Sequence, residues 1–550
     1  MPDIFQKCGV TGSEFVITEW EQNFLNRMNV PYPTLSSRER LKQRLSHRNE
    51  RSIYKDICDL TGKSIISIYS PDKSFIVYSQ EAWWSDSWDS RVYGRDFDFS
   101  RSFFDQFYEL RKAVPRLALM NVRSENSEYC NITNSDKNCY LVFGGDFCED
   151  CMYSIFSMYC KDTMDVYWVN KSEMTYDCID CTQCYNIKYC QYSHRCRDSV
   201  FLFECRSCEN CAFSVGLRNK QYHIFNKPYS KEEYFKKMRT FRFDSWNEVQ
   251  KMKNEFDTFR LQFPHLYAHI LNCENVTGDN IVNAKNCFNC FDIEGPAQDF
   301  KDVFLGGYNA SDCLSCDHVG FKSQLFYEMV GSIEGYNCAF CTFSWNSKNT
   351  WYCDMVANCH DLFGCSSMHN ASYCILNKQY SEGEYFDLRA RIIEHMKKNQ
   401  EWGEFFPMKQ SLFAYNETVA QDYFPLDRDE AVSQGLFWYT DAEEVSTISQ
   451  NISDSIHDVS DDILLKTLIC EKTGKPYKII PQELKFYRRF SIPIPRFAPE
   501  TRHRLRIALR HPIGTFSRRC AQCGGEIETS YSPNRPEKVY CEPCYLKEVY

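Results

Sequence analysis

The chain has 550 residues, a net charge of −10 and 31 cysteines. A chain of this length divides into several folding units. Its 43% hydrophobic and 25% charged residues exclude global disorder. The acidic balance argues against a protein that coats nucleic acid or anionic lipid over its whole surface, although a local basic patch could still bind either.

The cysteine content constrains the compartment. Secreted disulfide scaffolds are usually short, and the opening MPDIFQKCGV lacks the basic-then-apolar pattern of a signal peptide. No apolar run approaches the length of a membrane span. We therefore expect a cytoplasmic protein without membrane association, whose thiols are free or metal-bound.

The first predicted unit, residues 1–84, is repeated at the other end of the chain as residues 466–550. Cys8 and Cys470 are 462 residues apart, as are Cys58 and Cys520, and the register holds without a gap from Cys8–Tyr78 to Cys470–Tyr540. This predicts a duplicated α+β domain. The N-terminal copy retains only Cys58 of the C-terminal cysteine quartet, so we expect a degenerate zinc-ribbon-like domain without metal.

Both copies contain a predicted helix with arginines four residues apart, and this spacing places them along one face. They are Arg40, Arg44 and Arg48 in the first copy and Arg502, Arg506 and Arg510 in the second. The face could bind RNA phosphates, or it could pair with carboxylates such as Glu21 and Glu483. The candidate nucleic-acid-binding residues are Arg502, Arg504, Arg506, Arg510, Arg518 and Arg519.

After a helical connector at residues 85–118, the central region is predicted to have two halves, 119–262 and 263–400. NKPYSKEEYF (226–235) returns 151 residues later as NKQYSEGEYF (377–386). In each motif a serine is followed three residues later by a glutamate, which predicts a capping box that begins a helix. Each half should therefore end in a helix.

Within each half, cysteine pairs recur every 25–30 residues among strand-length segments separated by Asp, Asn and Ser. Such a period, with no long helix inside it, predicts a parallel β-solenoid. Cys130, Cys160 and Cys190 are 30 residues apart and are predicted to stack in one column on successive turns.

The stretch YDCIDCTQCYNIKYC (176–190) is then one solenoid turn whose cysteines are stacked small residues. Two alternatives remain open. Neighbouring pairs such as Cys148, Cys151, Cys178 and Cys181 could bind a soft metal, or adjacent turns could form disulfides.

A linker at residues 401–465 precedes the C-terminal copy, and its acidic end, 441–462, is predicted to be a solvated tether. The copy itself contains Cys520-x-x-Cys523 and, seventeen residues later, Cys541-x-x-Cys544. Two such knuckles complete a tetrahedral zinc site, and four thiolates leave no open coordination position. We therefore predict one structural Zn²⁺ in a zinc ribbon.

The C-x-x-T-G-K opening, IPIPR, TSYSP and the paired NK-x-YS-x-x-E-YF motifs together resemble uncharacterised cysteine-rich zinc-ribbon proteins of reduced-genome bacteria of the candidate phyla radiation. The resemblance covers nearly the whole chain. It implies no activity.

The predicted fold is mainly β: a two-part, cysteine-rich parallel β-solenoid flanked by duplicated zinc-ribbon-like end domains. The sequence contains no phosphate loop, dinucleotide fingerprint, nucleophile elbow or HExxH motif. It therefore favours a non-enzymatic, zinc-binding scaffold with an unidentified protein partner. An RNA- or ribosome-associated protein is the alternative, a solenoid enzyme ranks last, and a homo-oligomer is possible.

Overall fold

The structure, a computed structural model, describes residues 2–440 and 451–549. Two stacks of parallel β-solenoid turns form its centre, and an α+β unit from each end of the chain packs against them. The helices are α1 Glu19–Met28, α2 Ser37–Leu45, α3 Gln80–Trp83, α4 Phe103–Ala113, α5 Lys231–Met238, α6 Trp246–Arg260, α7 Glu382–Lys398, α8 Ala420–Tyr423, α9 Arg428–Ser433, α10 Pro481–Phe490, α11 Pro499–Leu509 and α12 Glu542–Val549.

The first stack lies between residues 121 and 228 and the second between 270 and 379. In the first, the strands are Asn121–Val122, Thr133–Asn134, Tyr140–Phe143, Met152–Ile155, Lys161–Asn170, Glu173–Tyr176, Ile179–Thr182, Tyr185–Lys188, Arg197–Phe203, Glu209–Val215, Gln221–Ile224 and Lys227–Pro228. In the second, they are Ile270–Leu271, Glu274–Lys301, Phe304–Gly307, Ala310–Val319, Gln324–Ile333, Tyr336–Cys341, Ser344–Trp345, Lys348–Trp351, Asp354–Ala357, His360–Phe363, Ser366–His369, Ser372–Ile375 and Lys378–Gln379.

One turn of the solenoid has twelve residues. Met152 pairs with Met164 in the first stack, and Gln324 pairs with Tyr336 in the second, in both cases in parallel. In the second stack the first pairing, Ile270 with Ile281, spans eleven residues, and some of the next turns span thirteen, as in the pairing of Phe304 with Asp317. The parallel β-solenoid that the sequence predicts is therefore present, but its turn is less than half of the predicted length.

Each twelve-residue turn has four sides of three residues. Asp177, Asp180 and Gln183 have φ values of 50°, 51° and 57°, and the cysteine that follows each of them is buried. Left-handed backbone is uncommon outside glycine, but Asn and Asp adopt it more readily than other residues. Repeating it every third residue bends the chain at each corner, which explains the frequent Asn and Asp along the stacks.

The narrow interior selects small side chains that can donate to backbone carbonyls. The thiol of Cys181 donates to the carbonyl of Ile179 at 3.3 Å and to that of Cys190, nine residues later, at 3.6 Å. The hydroxyl of Ser154 donates in the same way to the carbonyl of Met152, at 3.0 Å. The cysteines inside both stacks are thus structural small residues with satisfied thiols.

The predicted column of Cys130, Cys160 and Cys190 is wrong. With twelve residues per turn, Cys130 and Cys190 share one column, five turns apart, and Cys178 is the neighbour of Cys190, whose N–H donates to its sulfur at 3.3 Å. Cys160 is thirty residues from each, two and a half turns, and lies on the opposite wall. Inward positions recur every three residues, and cysteine fills only some of them. A spacing of thirty residues between cysteines can therefore occur although the turn has twelve residues.

A helix follows each stack, as predicted. Ser230 and Glu233 form a capping box at α5, and Ser381 and Glu384 form one at α7. In each box the serine hydroxyl accepts from the glutamate N–H, and the glutamate side chain accepts from the serine N–H.

The two end units contain the same elements in the same order. In the first, a hairpin (Ile4–Lys7, Glu14–Ile17), α1, α2 and a second hairpin (Tyr54–Ile57, Ser64–Ser67) are followed by Val77–Tyr78 and α3. In the second, the elements are a hairpin (Leu468–Ile469, Pro476–Tyr477), α10, α11, a second hairpin (Phe516–Arg519, Glu526–Thr529), Lys538–Tyr540 and α12.

Each end unit contacts both stacks. Val77–Tyr78 pairs with Arg116–Leu117 at the entrance of the first stack, while α2 packs on the second stack. Lys538–Tyr540 pairs with Pro264–Leu266 at the entrance of the second stack, while α11 packs on the first. The two ends of the chain therefore hold the stacks together, and they also contact each other, since a guanidinium nitrogen of Arg51 lies 2.6 Å from a carboxylate oxygen of Glu500 in α11.

Part of the predicted acidic tether is packed and not solvated. Residues 441–450 lie outside the described residues. Beyond them, Ile456 and Val459 are buried against the core that includes Phe486 of α10, and the N–H of Trp246 donates to the carbonyl of Asp454 at 2.9 Å. The described half of the segment thus belongs to the fold because its apolar side chains reach that core.

In the part of the chain that the structure describes, no helix combines the length and the apolar character that a membrane crossing requires.

Candidate metal centre

Four cysteine thiols converge at the tip of the C-terminal unit. The sulfurs of Cys520, Cys523, Cys541 and Cys544 all lie within 4.8 Å of one another. Cys520 is buried, whereas Cys523 is exposed. Four thiols at this separation match the ligand set of a closed tetrahedral metal site. The predicted quartet is therefore brought together, and it could bind a metal ion.

The turn at the first knuckle positions Cys520. Gly524 has a φ of 74°, which glycine adopts without strain, and its N–H donates to the carbonyl of Cys520 at 2.9 Å. The N–H of Cys541 donates to the sulfur of Cys520 at 3.3 Å, so the second knuckle is fixed against the first.

The same turn occurs at three other positions where threonine stands in place of the second cysteine. In each, a glycine N–H donates to the cysteine carbonyl at 2.8–2.9 Å, at Cys8/Gly12, Cys58/Gly62 and Cys470/Gly474. The N–H of Ser79 donates to the sulfur of Cys58 at 3.2 Å, as that of Cys541 does to Cys520. The knuckle backbone therefore forms without a complete ligand set.

The quartet resists full ionisation without a cation. Burial opposes ionisation of Cys520, but backbone N–H groups, first that of Cys523, lower its pKa to about 6. Hydrogen bonding with the thiol of Cys541 is the largest of the effects that raise the pKa of Cys544, to about 12. A bound divalent cation is the usual means by which four thiolates share so small a space.

The other proposed metal ligands, Cys148, Cys151, Cys178 and Cys181, do not converge as a set. The two pairs are separated by two and a half turns of the first stack. The thiol of Cys148 donates to the carbonyl of Ser157 at 3.2 Å, and the thiol of Cys151 to that of Cys160 at 3.5 Å. These thiols stabilise the turns.

The prediction of an exposed arginine face is wrong for Arg502, Arg506 and Arg510. Their side chains are only 4–8% exposed. Arg502 contacts Asp165 at 3.0 Å and Glu483 at 3.4 Å. Arg506 also contacts Asp165, and Arg510 contacts Asp180 and Asp292. Guanidinium groups that are buried and paired in this way cannot contact the phosphates of a nucleic acid.

Two of the equivalent arginines of the first unit, Arg40 and Arg44, make the same kind of contact, whereas Arg48 pairs with Glu50 of its own unit. Arg44 is fully buried and lies 2.5 Å from both Asp317 and Glu328 of the second stack. Arg40 contacts Glu328 and Glu21. The arginine stripe therefore docks each end unit on a stack, the alternative that the sequence had left open.

The other candidate arginines differ in exposure. Arg504 is 58% exposed and pairs with Glu500, and Arg519 is 75% exposed and lies 3.7 Å from Glu526. Arg518 is partly buried and donates to the carbonyls of Ser532 and Glu537 at 3.2 Å. These three do not make a continuous basic surface.

A second group of metal-ligating side chains was missed in the sequence. His269, Asp279 and His511 bring one ligand atom each to within 4.8 Å of the others. No spacing in the sequence indicates this group, because His511 belongs to the C-terminal unit and meets His269 and Asp279 only in the folded protein.

Comparisons of this chain with protein-family models, with curated proteins and with solved structures returned no match.

Proposed function

We propose that this protein is a non-enzymatic scaffold in a reducing compartment, the cytoplasm, whose C-terminal unit is a zinc ribbon with one structural Zn²⁺. The observation that carries the proposal is the convergence of Cys520, Cys523, Cys541 and Cys544. Zinc prefers sulfur ligands in tetrahedral geometry, and a closed set of four thiolates leaves no position for a substrate.

The matching order of elements supports descent of both end units from one duplicated domain, as does the shared register of 462 residues between Cys58 and Cys520. Only the second copy has the full quartet. The resemblance to cysteine-rich zinc-ribbon proteins of candidate-phyla bacteria is consistent with this assignment and adds no activity.

The scaffold role rests on how the polar groups are used. The thiols inside the stacks donate hydrogen bonds to backbone carbonyls, and the arginine stripes form ion pairs with carboxylates of the stacks. Both sets therefore stabilise a long rigid body that can present an outer surface to a protein partner. An RNA- or ribosome-associated role is the second candidate, and it would depend on the exposed Arg504 and Arg519.

The zinc assignment is tested with a matched pair of variants. Cys520→Ser removes a proposed ligand, and Cys58→Ser changes the equivalent residue of the other unit, whose sulfur accepts the same backbone hydrogen bond. We expect elemental analysis to give the same zinc content in the wild type and in Cys58→Ser, and one zinc ion fewer per chain in Cys520→Ser. Because binding energy at such a site is folding energy, Cys520→Ser should also unfold the C-terminal hairpin. Equal zinc in both variants would contradict the assignment.

The scaffold role is tested by affinity capture with the full chain, with and without nuclease, at two salt concentrations. A scaffold should retain the same protein partner after nuclease treatment. A nucleic-acid-binding protein should lose its captured material, and its affinity should fall steeply with salt. Capture that disappears with nuclease would favour the second candidate.

A further inference from the structure

A polar cluster lies where three parts of the fold meet. His269 and Asp279 belong to the entrance of the second stack, and His511 follows α11 of the C-terminal unit. Glu204 comes from the first stack. The side chains of all four are 3–13% exposed. The cluster thus joins both stacks and one end unit away from solvent.

The distances in this cluster suit metal coordination. Nδ1 of His269 is 3.0 Å from Oδ1 of Asp279, and Nδ1 of His511 is 2.6 Å from Oδ2 of the same carboxylate. Both imidazoles therefore present the same type of nitrogen to one carboxylate. Imidazole nitrogen and carboxylate oxygen are common ligands of Zn²⁺ and related divalent metals.

Glu204 supplies an independent indication. Its carboxylate is buried and interacts with the hydroxyl of Tyr545 and the ring of His269, although within the described ranges neither oxygen makes a hydrogen bond of ideal geometry. The nearer oxygen lies 3.4 Å from Nε2 of His269, the ring nitrogen that faces away from Asp279. A histidine bound to a metal through one nitrogen usually donates its other N–H to a carboxylate, which fixes the ring orientation. Glu204 is placed for that role.

Space and charge agree with this arrangement. A cavity of about 20 Å³ borders Asp279 and His511 and is lined also by Tyr192 and Arg510. That volume holds one water molecule, which could complete a coordination sphere. The cluster also favours positive charge, because the buried carboxylates of Asp279 and Glu204 both face the ring of His269.

We propose that His269, His511 and Asp279 bind a divalent transition-metal ion of the zinc class, with Glu204 as the hydrogen-bond partner that orients His269. This site is separate from the cysteine quartet and does not depend on the proposed function. It clamps the C-terminal unit to the junction of the two stacks. Ser530, whose hydroxyl lies 2.6 Å from Oδ2 of Asp279, positions the carboxylate.

The test measures zinc stoichiometry on the full chain after zinc loading and removal of excess metal. We expect two zinc ions in the wild type, one in His511→Gln and one in Cys520→Ser. His503→Gln is the matched control, because His503 is a buried histidine of α11 outside the cluster, and it should retain two. One zinc in the wild type, retained by His511→Gln, would overturn the proposal.

Replacement of zinc by Co²⁺ separates the two sites by spectroscopy. Thiolate ligands give intense charge-transfer absorption, which here would come from the cysteine quartet alone. His511→Gln should therefore lose half of the bound cobalt while this absorption stays unchanged. If His511→Gln does not fold, X-ray absorption at the zinc edge of the wild type decides. A mixed sulfur and nitrogen/oxygen shell supports the site, and a pure sulfur shell refutes it.

Discussion

The buried arginine contacts predict that Arg502→Gln destabilises the C-terminal unit far more than Arg504→Gln. Both substitutions remove one positive charge from α11. Arg502 is 6% exposed and contacts Asp165 and Glu483, which are 1% and 0% exposed. Arg504 is 58% exposed and contacts only Glu500.

The magnitude follows from burial. Removing one partner of a buried ion pair leaves an uncompensated charge and costs about 3–5 kcal/mol, whereas an exposed pair four residues apart on a helix contributes about 0.3–0.5 kcal/mol. Since about 1.4 kcal/mol is a tenfold change in an equilibrium constant, the opening equilibrium of α10 and α11 should rise by roughly 100- to 4,000-fold in Arg502→Gln. In Arg504→Gln it should rise by roughly two-fold.

Native-state hydrogen exchange of the amides of α10 and α11 measures this opening directly. The effect should shrink as the pH falls. Burial already raises the pKa of Glu483, although Arg502 opposes the shift, so without Arg502 the carboxyl takes up a proton more readily. Equal exchange in the two variants would refute the argument that the arginine stripe docks this unit.

Three further predictions concern the stacks. Burial raises the pKa of Asp136 to about 8, so the folded protein favours the neutral acid and its stability falls as the pH rises from about 4 to 8. Asp136→Asn should remove this pH dependence and stabilise the protein at pH 7 by up to roughly 3–4 kcal/mol. Denaturant unfolding of both proteins at pH 5 and pH 7 measures the difference. Cys184→Ser should cost less than about 1 kcal/mol, because Ser172 already fills the same column and donates to a carbonyl. Cys184→Leu should cost about 1–3 kcal/mol by overpacking, measured by thermal unfolding, and an equal effect of the two would contradict the narrow interior.

The sequence predicts a parallel solenoid because short strands, turn residues and cysteines recur without long helices between them. It does not reveal the twelve-residue turn through cysteine alone. Val142, Ser154 and Val166 occupy the positions of this column between Cys130 and Cys178, so the column is visible only when all inward residues are compared at intervals of twelve. The left-handed backbone at every third residue has no strong sequence signature either, since Phe and Tyr adopt it here as well as Asn and Asp.

The cysteine quartet could be predicted because its ligands lie in two local motifs. The arginine stripe shows the opposite case. Helical spacing places Arg502, Arg506 and Arg510 on one face, but it cannot say whether that face meets solvent. The answer depends on Asp165 and Asp180, which are more than 300 residues away in the chain. The histidine cluster is likewise assembled only by tertiary contacts.

The N-terminal unit docks on the second stack, and this determines when during synthesis the unit can dock. The first unit leaves the ribosome early, but the carboxylates that receive its arginines belong to the second stack. Asp317 and Glu328 follow Arg44 by 273 and 284 residues. At about 5–20 residues per second, Arg44 has no partner for roughly 15–55 s. The N-terminal unit must therefore remain undocked, with its basic helix accessible, until the second stack has formed behind the first.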